Sequence, residues 1–226
     1  MEGLHARAPP HCSLDYLAMS NPPDAPSVAV ASSLPLIAEA AACRLCAGVL
    51  PLPPKPIFVA GSGARLLIIS QAPGRRAHDT GIPWNDSSGV RLRDWLGLTP
   101  EQFYDPALVA ILPMGFCYPG KGATGDLPPR PECAPFWHPR LLPLLPDIRL
   151  TLLIGRYAQA AYLAPHCPKT LTEAVQRHAG FLPRFFPMPH PSPLNRRWLA
   201  RNPWFVDDVV PVLRMRVAEA MTPQAD

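Results

Sequence analysis

Four short apolar runs stand out along the chain, at residues 65–70, 108–112, 150–154 and 185–188. Each is continuously apolar rather than alternating, the pattern of strands covered on both faces. Between them the spacing turns helical. Residues 90–96 predict one helix and the Ala-rich stretch 157–163 a second. Thr170, Leu171, Thr172 and Glu173 form a capping-box pattern that opens a third. Asn202 and Pro203 supply an N-cap and a first-turn proline for the last helix. Its apolar face runs through Phe205, Val209, Val212, Leu213, Val217 and Met221, and Pro211 is expected to kink it. Strands alternating with helices predict an α/β fold, a three-layer α/β/α sandwich around a central, mainly parallel four-stranded sheet. Ligands of such sheets bind beyond the carboxyl ends of the strands.

The periodic pattern starts near residue 34. Residues 1–33 are rich in Pro and Ala and poor in charge, and are expected to be a flexible extension, with Met19 as an alternative start. The folded domain is expected over 34–221, with a disordered tail at 222–226. Proline is abundant, at 33 residues in 226, which predicts stiff loops and short helices. No apolar run approaches the roughly 18 residues of a membrane span, and no secretory signal pattern opens the chain. The expectation is a cytoplasmic monomer whose six cysteines stay reduced. There, metal or cluster ligation competes with plain burial. A net charge of +4 permits an anionic partner without demonstrating one.

Two loops carry the candidate chemistry. After the first strand come Ser70, Gln71, Ala72, Pro73 and Gly74, then a polar segment holding Trp84 and Asn85. After the fourth, His190 sits between prolines, followed by Ser192, Leu194, Arg196, Arg197 and Arg201. A rigid imidazole, an apolar loop tip and a basic neighbourhood make joint sense on DNA. The tip fills a gap in the base stack, the arginines hold the backbone, and Ser192 can bind a phosphate.

The pair Ser70-Gln71-Ala72-Pro73-Gly74 and His190-Pro191-Ser192-Pro193-Leu194 resembles the two signature motifs of the uracil-DNA glycosylase superfamily. Thr80, Gly81, Ile82, Pro83, Trp84 and Gly89 are similar in spacing to the iron–sulfur (family 4-like) branch, where a Phe usually stands at the position of Trp84. The resemblance covers about residues 36–215. It implies an enzyme that cleaves the N-glycosidic bond of a flipped uracil or related deaminated base in single- or double-stranded DNA. Ala72, Pro73 and Gly74 would bring backbone against the base, Trp84 would stack on it, and His190 would stabilise the departing anion.

Departures from the family pattern are specific. Ala72 stands where the most uracil-selective branch has a water-positioning Asp. Gln71 stands where the iron–sulfur branch commonly has Glu; it can orient water but is no base. His78 and Asp79 are alternative activators. Pro113 takes the place of a uracil-reading Asn, and Asn85 is a substitute, since an amide can donate to and accept from a pyrimidine edge.

Cys43, Cys46, Cys117 and Cys133 are similar in placement to the four ligands of that branch's [4Fe–4S] cluster. Zinc, or four plain buried thiols, remain alternatives. Arg75, Arg76, Lys121 and Arg130 are further candidates for a DNA groove. Two rival functions stay open: a non-catalytic, damage-sensing DNA-binding module on the same fold, and an iron–sulfur redox protein.

Overall fold

The computed structural model describes residues 30–222; residues 1–29 of the expected 1–33 extension, Cys12 included, and residues 223–226 of the expected 222–226 tail lie outside them. Helix α1, Val30–Ala41, leads through a long coil to β1, Leu66–Ile69. Two short helices follow, α2 at Arg75–Thr80 and α3 at Ser87–Leu96, then α4 at Pro100–Tyr104 and β2 at Val109–Ile111. Helix α5, Cys133–Leu141, precedes β3 at Leu150–Ile154, α6 at Arg156–Tyr162 and α7 at Leu171–Gln176. The chain ends with β4 at Phe185–Met188, α8 at Arg196–Arg201 and α9 at Val210–Met221. The expected domain start at residue 34 thus falls inside α1. Thr222, expected in the tail, instead closes α9 through its hydroxyl and N–H, and its carbonyl accepts from Arg149.

The four expected strands form one sheet in the order β2-β1-β3-β4, every pair parallel. Leu67 lies opposite both Ala110 and Thr151, and Thr151 opposite Phe185. Alternate strand residues feed two cores. Leu66, Ile68, Ile111, Leu152 and Phe186 meet α3, α4, α9 and the turn before α9 through Trp95, Phe103, Leu213 and Phe205. Leu67, Ile69, Leu112 and Leu153 meet α1, α5 and α6 through Ala40, Trp137, Leu141 and Ala158. This period-two division builds the three layers from continuously apolar strands.

Local signals explain the element ends. Thr170 accepts from Glu173 N–H while Glu173 reaches back, so the predicted capping box is present. A second box, Thr99 with Gln102, opens α4. Asp86 caps α3, three residues earlier than its apolar pattern suggested.

The last helix differs from expectation. Asn202 gives its side chain to Trp198 and Trp204 rather than to a backbone cap. A π turn, Phe205–Val209, precedes α9, with Val210 N–H reaching the Phe205 carbonyl. Pro211 has no N–H for the preceding turn and its ring crowds that turn, so a widened turn accommodates it where a simple kink was expected.

The sheet order reverses direction between β1 and β3, which opens a crevice at their carboxyl ends. The loops there are stitched together. Met114 N–H donates to the Ser70 carbonyl at 2.8 Å and Gly115 N–H to the Gln71 carbonyl at 2.9 Å. Buried Gln159 donates to the carbonyls of Leu153 and Met188, at the ends of β3 and β4.

Candidate active site

A cavity of about 160 Å³ fills that crevice. Drug-sized pockets are several-fold larger; this one suits a single ring system. Its walls bring together Ala72, Pro73, Gly74, Trp84, Asn85 and His190, from loops more than a hundred residues apart. Ser192 also reaches it. Gln71 does not line it: its side-chain amide donates to the Leu127 carbonyl at 3.0 Å and so anchors the loop over 120–127. His78 and Asp79 do not line it either, and Asp79 pairs with Arg75 on the surface of α2.

His190 follows β4 in a loop pinned from both sides. Asn195 donates to its carbonyl at 2.8 Å, and Arg91 donates to the Pro191 carbonyl at 3.0 Å. The Ser192 N–H donates to Nδ1 at 3.2 Å. With Nδ1 accepting, the neutral ring carries its proton on Nε2. Burial pushes the imidazole pKa down to about 4, against a weaker opposing pull from Asp86. At neutral pH His190 is therefore an uncharged ring with an Nε2–H donor.

Trp84 backs this ring. The indole and imidazole are stacked with centroids 5.3 Å apart and 29° between their planes. The face expected to meet a base is thus shared with His190. The Trp84 backbone is left-handed, at φ 56°, which is unfavourable for a bulky residue. Tyr104 O–H and the Arg93 guanidinium both donate to its carbonyl, at 3.3 and 3.4 Å. Gly89 makes room for that carbonyl: a Cβ there would lie 1.7 Å from the oxygen. A strained aromatic held by two donors and a close glycine is a built feature of this wall.

Pro113, where an Asn was the family expectation, does line the cavity. Its carbonyl accepts from Nε2 of His138 at 3.0 Å, and Nδ1 of that ring accepts from the Tyr162 hydroxyl at 2.5 Å. His138 is completely buried, which pushes its pKa down to about 4. Two acidic residues escaped the sequence reading, Asp86 and Asp126. The available signal for Asp126 was a carboxylate in a Gly-rich loop following a strand's carboxyl end.

Outside the cavity, Leu194 is 73% exposed at the loop tip. Ser192 Oγ accepts from the Leu194 N–H, and Arg196 donates to the Pro193 carbonyl. Arg196, Arg197 and Arg201 are exposed along one short helix and its start. Arg130 is paired with Glu132.

Cys43 and Cys46 follow α1, Cys117 lies beyond β2 and Cys133 opens α5; all four are free thiols. They share one neighbourhood. Burial pushes Cys133 up to about 12 and Cys117 up to about 11, and nearby cysteine thiols add to both effects. The Phe116 N–H donates to Cys133 Sγ at 3.3 Å. The donor set is chemically suited to a cluster or to zinc. Among the described residues, however, no group of three or more His, Cys, Asp or Glu side chains is arranged to hold a metal ion. No helix of the described residues is long and apolar enough to cross a membrane.

The family model described as the uracil DNA glycosylase superfamily matches residues 57–214, a span that includes every wall of the cavity. A glycosylase type of function on DNA accompanies that match, and the chain belongs to the uracil DNA glycosylase superfamily.

Proposed function

We propose that the protein is a monofunctional DNA glycosylase that hydrolyses the N-glycosidic bond of a flipped uracil or related deaminated base and leaves an abasic site. The observation that carries this reading is the neutral His190 at the cavity, its Nε2–H fixed as donor by the Ser192 N–H on Nδ1. As the bond breaks, negative charge grows on the departing base. A preorganised donor to its carbonyl oxygen stabilises that charge, worth about 3–4 kcal/mol of barrier. A hydrogen bond in the imidazole plane would hold the base nearly coplanar with His190. The indole of Trp84, already backing the imidazole, would then extend under the base. Ala72, Pro73 and Gly74 would close the opposite side, and the Asn85 amide would read the pyrimidine edge.

DNA would lie across the mouth of the cavity. Leu194 would fill the gap left by the flipped base, and Ser192, Arg196 and Arg197 would hold the flanking phosphates. Cys43, Cys46, Cys117 and Cys133 would hold a [4Fe–4S] cluster. The support is their shared neighbourhood, their free state and the N–H on Cys133. Such a cluster would supply a cross-link between the segment after α1 and the loop before α5.

The test incubates purified protein with single- and double-stranded oligonucleotides bearing deoxyuridine or other deaminated bases and measures alkali-labile breaks. Base release that falls at least about 100-fold in His190→Ala supports the reading. Salt-sensitive DNA binding with no release from any base would instead indicate the non-catalytic, damage-sensing module.

A further inference from the structure

The Gln71 turn offers no group to take a proton from water. Ala72 has no polar side chain, and the Gln71 amide is engaged with Leu127. Two carboxylates border the cavity. Asp86 already has a role, since its Oδ1 accepts from the Gly89 N–H at 2.9 Å and caps α3.

Asp126 is differently disposed. It ends a tight turn in which Lys121 and Asp126 form an antiparallel bridge and Leu127 N–H donates to the Gly120 carbonyl at 2.8 Å. The Gln71 amide ties this turn to the loop after β1. Asp126 Oδ2 lies over Gly74, 3.6 Å from where a Cβ of that residue would be. The buried Tyr118 hydroxyl and the Lys121 charge both favour the ionised carboxylate. The remaining titratable neighbours are Asp86 and, across the cavity, the neutral His190. The residue itself stays open to solvent, so water can reach it.

We propose that Asp126 is the carboxylate that binds and deprotonates the water attacking C1′ of the flipped nucleotide. The inference rests on the glycosylase reading above. The water oxygen forms the new bond to C1′, and the C1′–N bond breaks with its electron pair leaving on the base. Asp126 accepts one water proton, which returns through solvent to the released base, so the sum is base–sugar plus water giving free base and abasic sugar. Partial burial raises the Asp126 pKa from its ordinary value, which makes it a better base than a fully solvated Asp.

The experiment measures single-turnover base release from deoxyuridine oligonucleotides across pH, with equilibrium binding to the same oligonucleotide carrying a tetrahydrofuran abasic analogue. Asp126→Asn is expected to lower the rate about 100-fold or more while binding changes less than about threefold. The wild-type rate should rise with pH through an acid limb that Asp126→Asn lacks. Tyr118→Phe removes a hydroxyl that lowers the Asp126 pKa, so its acid limb should move to higher pH. That shift keeps the test decisive if Asp126→Asn melts early. An active wild type with Asp126→Asn within about threefold of it, or with rate and affinity falling together, or with an acid limb unmoved in Tyr118→Phe, overturns the role of Asp126 alone. A wild type that releases no base from oligonucleotides bearing deoxyuridine or any other deaminated base overturns both this role and the glycosylase reading.

Discussion

Trp84 and His190 stack face to face, centroids 5.3 Å apart, although 105 positions separate them in the chain. The contact joins a strained turn after β1 to a proline-held loop after β4. It turns two unrelated loops into one wall and fixes the plane in which Nε2–H points.

On the proposed reading Trp84 has two tasks, backing the imidazole and extending under a base. Trp84→Phe keeps a flat apolar ring and should retain most activity. Trp84→Ala should weaken binding to oligonucleotides carrying an uncleavable deoxyuridine analogue by about 1–3 kcal/mol. Fluorescence anisotropy titrations against both variants measure the difference.

Gly89→Ala would push a methyl group to 1.7 Å from the Trp84 carbonyl oxygen. The turn must then move, and the two donors on that carbonyl lose their partner. A destabilisation of about 2 kcal/mol or more is expected, with loss of base release. Gly180→Ala is the control, because a Cβ there meets nothing within 4 Å. Thermal melting separates the two, with the control within about 0.5 kcal/mol of wild type.

Acid should destabilise the fold through His138. Its pKa falls from 6.5 to about 4 on folding because burial disfavours the charged ring. Between those values the unfolded chain binds a proton that the folded chain refuses. Stability is thus fully present above pH 6.5 and declines as pH falls towards 4, by up to about 3 kcal/mol. Urea midpoints at pH 4.5, 5.5 and 7 should show the decline, and His138→Gln should make it shallower. His190 shifts the same way, so some slope should remain in that variant.

Leu194→Ala removes an exposed side chain and should leave stability within about 0.5 kcal/mol. If Leu194 fills the vacated stack, uracil release should fall more on duplex than on single strands. Parallel single-turnover assays on the two substrates read this ratio directly.

Cys133→Ser tests the proposed cluster without reference to catalysis. Anaerobically purified wild type is expected to contain about four iron atoms per chain and a broad visible absorption, both lost in the variant. Zinc in place of iron would favour an all-cysteine zinc site, and neither metal would leave four partly buried thiols.

The strands and the two motif loops were legible in the sequence for separate reasons. Continuous apolar runs such as 150–154 have few alternatives to a doubly covered strand. Proline around His190 and the capping box at Thr170 are local signals that need no partner. What stayed hidden depends on meetings between distant segments. The Gln71 amide turned to Leu127 because that carbonyl stood within reach, a fact absent from the motif itself. Asp126 escaped the sequence reading because only the folded loop over 120–127 brings it to Gly74. Helices α2, α4 and α8 are too short for periodicity to declare them, at six, five and six residues.

Gln159 spans the carbonyls of Leu153 and Met188 from below. The imidazole of His190 thereby inherits the stiffness of the sheet, whereas Asn85 follows Trp84 in a turn held by Arg93 and Tyr104. On the proposed roles, the reacting imidazole rests on the sheet and the base-reading amide sits in a loop that only the Trp84 stack ties to it among the ring contacts described. Directed evolution towards a new damaged base should accumulate changes around position 85 and reject them at 159.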